Sequence, residues 1–281
     1  MKLREIRKLD FREEAITSPG SQKKGNEDAL LSLKAHGLFG VFDGATSLVP
    51  YADKEGRTGG YLASHIAREA FESAKPDFTS MLADANDAIH ESMRRAGIDT
   101  RDKLNLWVTS ASVVRLHADR FDWLNVSDSL ILVINKDGTH RLLVEDYEHD
   151  LESLSLLKRR IDDGDPNARQ GVEETAREVR RQLNVTYGFI AGEPEVRFVY
   201  EGTESLDGVK AILIFSDGMI PPKQDPSAPD DFGAIVREYS RGGLQGWLDY
   251  VRGMEDSDPD LRKYPRFKPH DDATAIAITF G

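Results

Sequence analysis

The chain contains no cysteine. That excludes disulfides, a thiolate zinc site and a cysteine nucleophile. Long hydrophobic runs are also missing: the apolar stretches are strand-sized, far short of the roughly 20 residues that a membrane span needs. The first residues, Met1-Lys2-Leu3-Arg4-Glu5-Ile6-Arg7-Lys8, hold no apolar segment of signal-peptide length, so a cytoplasmic protein is expected. Positive charge is scarce, with 37 Lys and Arg against 49 Asp and Glu and a net charge of −12. That balance speaks against nucleic acid as the main partner, since a phosphate backbone needs a basic face, and against an anionic membrane surface. There is no internal repeat, no low-complexity linker and no Gly-x-Ser-x-Gly elbow. A chain of 281 residues can build one large core, and one domain over 1–281 is expected.

What the chain does have is acid at strand ends. Leu38-Phe39-Gly40-Val41-Phe42 runs into Asp43-Gly44, and Ala211-Ile212-Leu213-Ile214-Phe215 runs into Ser216-Asp217-Gly218. Asp271-Asp272 leads into Ala273-Thr274-Ala275-Ile276-Ala277-Ile278. Such short Val-, Ile- and Phe-rich runs read as buried strands, and a sheet fixes the carboxylates at their ends. A hairpin turning near Ala35 and His36 places Asp28 opposite Asp43, with Glu27 one residue further out. Acids facing each other repel unless a cation lies between them. Carboxylate oxygens suit hard cations such as Mg²⁺ and Mn²⁺.

Each element also has a plain reading. Asp-Gly after a strand is ordinary turn chemistry. Glu27 and Asp28 alone would be a solvated strand end, and Lys23 and Lys24 a charged loop. The ordered set of acids favours metal ligation over turn chemistry.

Elsewhere the pattern predicts a helix over Glu55–Ala74 and a second one capped by Thr79 or Ser80, with Met81, Leu82, Ala85, Ile89 and Met93 on one face. Leu104–Leu116 reads as a strand and Phe121–Ile134 as its returning partner, placing Asp128 near Thr109 and Ser110. A helical insertion is expected at about 148–183, broken at Gly164-Asp165-Pro166, in a position to shape substrate choice. Val196–Tyr200 and Gly208–Phe215 return to strand, and two short helices precede the last strand.

Taken in order, Asn26-Glu27-Asp28, Val41-Phe42-Asp43-Gly44, Thr109-Ser110-Ala111, Ser127-Asp128-Ser129, Phe215-Ser216-Asp217-Gly218 and Asp271-Asp272-Ala273-Thr274 resemble the metal-dependent protein phosphatases of the 2C type. The resemblance implies an α+β fold, a four-layer α-β-β-α sandwich of two antiparallel sheets flanked by helices. It implies hydrolysis of phosphate monoesters, of the serine/threonine phosphoprotein type, through a water bridging two divalent metals, with two or three Mn²⁺ or Mg²⁺ ions; the substrate is a phosphorylated protein or a small phosphomonoester. Carried over, Asp43 bridges the metals, Gly44 offers its carbonyl, and Asp217 and Asp271 bind the first ion. Glu27 is the acid near the second, with Asp28 beside it, and Asp128 helps to hold a third. Lys23 stands where the family usually carries a phosphate-gripping Arg, and joins Asp43 and Asp217 as a catalytic residue.

The chain departs from the family pattern in four places. Lys23 lacks the bidentate fork of Arg. Ala45 follows Asp43-Gly44 where many members have His, Ser127-Asp128-Ser129-Leu130 replaces Gly-Asp-Ser-Arg, and Asp272 replaces a common Asn. His270, next to Asp271, is the histidine that the sequence offers as proton donor. A second reading remains open, a degenerate phosphatase-like regulatory module that binds metal or a phosphorylated partner with little turnover. A haloacid-dehalogenase-type site is set aside, because Ala45 occupies the place of its second acid.

Overall fold

The computed structural model describes residues 9–21, 25–45, 48–145 and 148–281. Lys23 and Lys24, and Thr46-Ser47 after Ala45, lie outside them. The chain opens with β1 (Phe11–Ser18), β2 (Ala29–Leu33), β3 (Leu38–Phe42) and a two-residue β4 (Gly44–Ala45). Helices α1 (Gly59–Phe71) and α2 (Phe78–Arg95) follow, then β5 (Val108–Thr109), β6 (Ala111–Leu116), β7 (Arg120–Val126), β8 (Leu130–Asn135) and β9 (His140–Leu142). After them come α3 (Leu151–Asp162), α4 (Glu173–Arg181), β10 (Val199–Ser205), β11 (Val209–Phe215), α5 (Phe232–Asp256) and β12 (Ala273–Phe280).

Two five-stranded antiparallel sheets result, in the orders β1-β12-β11-β8-β9 and β10-β7-β6-β3-β2. Their apolar runs are continuous because both faces are buried. In β3, Phe39 and Val41 point between the sheets, whereas Leu38 and Phe42 point outward against α1 and α2. In β11, Ile212 and Ile214 point between the sheets, and Ala211, Leu213 and Phe215 face α5, where Trp247 stacks edge-on against Phe215 at 5.0 Å. Three core layers therefore separate four layers of structure, the expected α-β-β-α sandwich.

Helix α1 starts at Gly59, later than its pattern suggests, where the Thr58 hydroxyl accepts the Tyr61 N–H at 3.2 Å. Asp77, and neither Thr79 nor Ser80, caps α2: its carboxylate accepts the Ser80 N–H at 2.7 Å. The α2 face itself is buried as read, from Met81 to Met93. Phe121–Ile134 is not one strand. β7 ends at Val126, Ser127 takes a left-handed φ of 68°, and Leu130 pairs with Phe215 in the other sheet. An apolar run buried on both sides carries no mark of which sheet it joins, which is why the sequence conceals this crossover. β10 begins at Val199, after a left-handed Phe198, so Val196–Phe198 is not strand. The two final helices are joined end to end in α5 across a kink at Gly243. β1, which the sequence reading lacks, pairs along its whole length with β12. Among the described residues no helix is long and apolar enough to cross a membrane.

Candidate metal centre

The hairpin of β2 and β3 sets the first pair of acids. Ala29 pairs with Phe42, so Asp28 and Asp43 face each other one step beyond the ladder. β11 delivers Asp217 two residues past its end, β12 receives the chain two residues after Asp271, and the β7–β8 crossover carries Asp128. Asp43, Gly44, Asp128, Asp217 and Asp271 line one cavity of about 580 Å³. Asp28 and Glu27 stand behind it, almost fully buried.

Backbone contacts fix these positions. The Asp43 carbonyl accepts the Ser110 N–H and the Thr109 hydroxyl, both at 2.9 Å. The Ser216 hydroxyl donates to Asp28 Oδ2 at 2.7 Å and accepts the Thr274 N–H at 2.9 Å, which ties β2, β11 and β12 together. Two glycines are required by close approach. A Cβ on Gly44 would lie 2.2 Å from the Gly60 carbonyl oxygen, and one on Gly218 would lie 2.0 Å from that of Asp272. The motif glycines therefore let α1 and the Asp271-Asp272 segment close onto the acids. Glu27 Oε1 accepts from the hydroxyl of Thr58, the α1 cap, so this acid is held at the helix start.

Burial dominates the electrostatics. It pushes Asp43 well above the usual carboxylate range, and Asp28, Asp217, Asp128 and Asp271 push it further. Asp217 moves up for the same reason, with Asp271 and Asp128 adding to it while a hydrogen bond from Asp43 opposes. Asp28 rises to about 7, mostly through burial. Asp128 is raised by burial against the pull of His149, whose Nε2 is 3.4 Å from Asp128 Oδ2. The Lys268 ammonium is pushed down by burial, but Asp271, Asp217 and Asp43 lift it above the ordinary lysine range.

These residues fit a hard divalent cation. All the donors are oxygens, and Asp28 Oδ1 and Asp128 Oδ1 are buried without a hydrogen-bond partner. Among the described residues no three acids are yet drawn together as a finished coordination sphere. They share a cavity and feel one another's charge.

Some residues of this cavity have no motif to announce them. His149 lies beside Asp128 and stacks on Tyr187, ring centres 4.6 Å apart. Arg180, on α4, lines the cavity, as do Lys268 and the Pro221-Pro222 pair. The insertion that holds α3 and α4 thus supplies one wall. His270 does not line this cavity: its Nε2 contacts Asp256 at 2.8 Å, which turns the ring aside from the acids and removes the reason to assign it as proton donor. Asp272, buried, accepts two backbone N–H groups and is a structural tie.

Residues 18–248 match the model of the protein phosphatase 2C family, and the chain belongs to that family. Its fold is shared with the serine/threonine phosphatase PstP/Ppp of Mycobacterium tuberculosis, at 15% identity and a TM-score of 0.59 over 96% of this chain and 98% of that one. Stp1, a serine/threonine phosphatase of Staphylococcus aureus, is similar at 15% identity and a TM-score of 0.58, covering 97% and 96%. The catalytic domain of PstP solved with two manganese ions matches at 15% identity and a TM-score of 0.54, covering 96% and 97%. At these identities the likeness is one of fold. No curated protein matches the chain in sequence.

Proposed function

We propose that the protein is a metal-dependent phosphatase that hydrolyses phosphoserine and phosphothreonine in proteins, in the cytoplasm, within one domain over 1–281. The observation that carries this reading is the meeting of Asp43, Asp128, Asp217 and Asp271 at one cavity, with Oδ1 of Asp128 and of the adjoining Asp28 buried and without a hydrogen-bond partner. Two or three Mn²⁺ or Mg²⁺ ions held there would supply an ionised water at neutral pH and positive charge over the phosphoryl oxygens.

The chain's own residues then have distinct tasks. Asp43, which faces the charge of Asp28, Asp217, Asp128 and Asp271, would hold two ions, with the Gly44 carbonyl beside it. Asp217 and Asp271 would hold the first, Glu27 and Asp28 would support the second from behind, and Asp128 with Asp217 would hold an outer ion. The Ser216 and Thr109 contacts hold the strand ends, and so Asp28 and Asp43, in place. Lys23 would grip a phosphate oxygen as a point charge. The wall formed by α3 and α4 would select the substrate's flanking residues.

Hydrolysis of p-nitrophenyl phosphate and of phosphothreonine peptides, with and without Mn²⁺, tests the reading. Turnover that requires metal, and a melting temperature that rises with Mn²⁺, are expected. A folded protein with no turnover and no thermal response to Mn²⁺ would sink it. The second reading, a regulatory module, is favoured by Leu130 and Lys23 where the family carries Arg; stabilisation by Mn²⁺ without turnover is its signature.

A further inference from the structure

Lys268 belongs to no motif, yet its ammonium lies inside the cluster of acids. Nζ is 2.7 Å from Asp271 Oδ1 and 2.9 Å from Oδ2, so it engages both oxygens of the carboxylate. A lysine and an aspartate three residues apart form an ordinary surface pair in most proteins, with little energetic weight. Here the geometry of the loop argues otherwise. Pro265 and Pro269 flank the segment, and Arg266 is clamped across it. The Arg266 guanidinium donates to Pro269 O at 3.1 Å, to Asp258 Oδ2 at 2.9 Å and to Glu255 O at 2.8 Å. His270 O accepts the Ser21 N–H at 3.2 Å, and Asp271 O accepts from Arg252 at 2.7 Å. The backbone that bears Lys268 is therefore tied on both sides, and the side chain is delivered into the cavity that Asp43, Asp128 and Asp217 also line.

Each oxygen of this carboxylate already has a lone pair directed at the ammonium, so a metal ion on either oxygen would sit beside that positive charge. Two positive groups on one half-buried carboxylate repel across a few ångströms. Resting on the metal-site reading above, we propose that Lys268 is a tethered cation that competes with a divalent ion for Asp271. It neutralises Asp271 when the ion is absent, and the ion that enters must displace the ammonium into the cavity. The four-carbon stem of lysine allows that swing without moving the tied backbone. The ion at Asp271 thus becomes the weakly held member of the set, and metal supply becomes a control on the site.

Calorimetric titration of MnCl₂ into the metal-free full chain tests this, comparing wild type with Lys268→Met and Lys268→Arg. The weakest Mn²⁺ site of wild type should tighten by tenfold or more in Lys268→Met and stay within about threefold in Lys268→Arg, which retains the charge. Without metal, Lys268→Met should melt below wild type, and saturating Mn²⁺ should close that gap. Should Lys268→Met fail to fold, Lys268→Gln serves the same comparison. Mn²⁺ affinities of wild type and the neutral variants within twofold of each other would overturn the competition while leaving the metal site standing. Unchanged affinity with a raised Michaelis constant would likewise overturn it, assigning Lys268 to the substrate. If no variant takes up Mn²⁺, both the metal reading and the competition fail.

Discussion

The carboxylate of Asp272 accepts the backbone N–H of Glu27 at 2.9 Å, and its other oxygen accepts that of Gly20 at 2.6 Å. One buried side chain thus joins the entry to β12 with the segment between β1 and β2, 245 residues away. An asparagine has a single acceptor oxygen and would turn an NH₂ group toward one of these donors. Asp272→Asn should therefore lower stability by about 1–3 kcal/mol, the usual penalty for leaving a buried N–H unsatisfied. Urea unfolding of both proteins measures it. Equal midpoints would mean that the tie carries no weight.

Asp28 supplies a prediction about pH. Its carboxyl is raised to about 7 in the folded protein by burial, against an ordinary value of 3.8. A group whose pKa rises on folding adds stability below its unfolded value and loses that contribution as pH climbs through the folded one. Metal-free wild type should therefore weaken relative to Asp28→Asn between pH 4 and pH 7, by up to about 4 kcal/mol, and the gap should level off above pH 7. Melting both proteins in chelator across that window tests the sign. A gap independent of pH would show that Asp28 is not a strained acid.

If the proposed ligand set holds, Asp43→Asn and Asp217→Asn should each abolish Mn²⁺-dependent hydrolysis, because each would remove a charged ligand. The metal-free fold should hold or gain stability, since mutual repulsion falls. Turnover near wild-type level in a folded Asp217→Asn protein at saturating Mn²⁺ would remove Asp217 from the ligand set.

Much of this architecture is written in local pattern. Asp43 and Asp217 follow strands whose composition is plain, and the Asp28–Asp43 register follows from the turn near Ala35 and His36. The family resemblance adds Asp128, which spacing alone would leave inside a strand. What the sequence hides is long-range. The partner of β1 lies at the far end of the chain, and its alternation of Arg12, Glu13 and Glu14 with Phe11, Ala15 and Ile16 is too weak to announce it. The placement of His149, Arg180 and Lys268 around the cavity depends on how an insertion and a proline-flanked loop fold back, which no local period records. Lys268 in particular reads as one more surface lysine until the Arg266 clamp is seen.

Lys23 carries the last prediction. It lies outside the described residues, but the residues on either side of its segment are tied to the acidic edge: Ser21 to His270 at 3.2 Å and Asn26 to Thr17 at 2.6 Å. If Lys23 grips the phosphate as a point charge where the family uses Arg, Lys23→Ala should chiefly raise the Michaelis constant. One charge-assisted hydrogen bond is worth about 1.5–3 kcal/mol, roughly tenfold to a hundredfold in kcat/KM. Lys23→Arg should preserve or improve binding, since its fork meets two phosphate oxygens at once. Lys24→Ala is the control for charge alone, and steady-state kinetics on one phosphopeptide compares all three. Should Lys23→Ala and Lys24→Ala both stay within about twofold of wild type, less than 0.5 kcal/mol, neither lysine grips the substrate. Phosphate recognition would then rest on the metal ions and on cations from the cavity wall, with Arg180 and Lys268 the residues to mutate next.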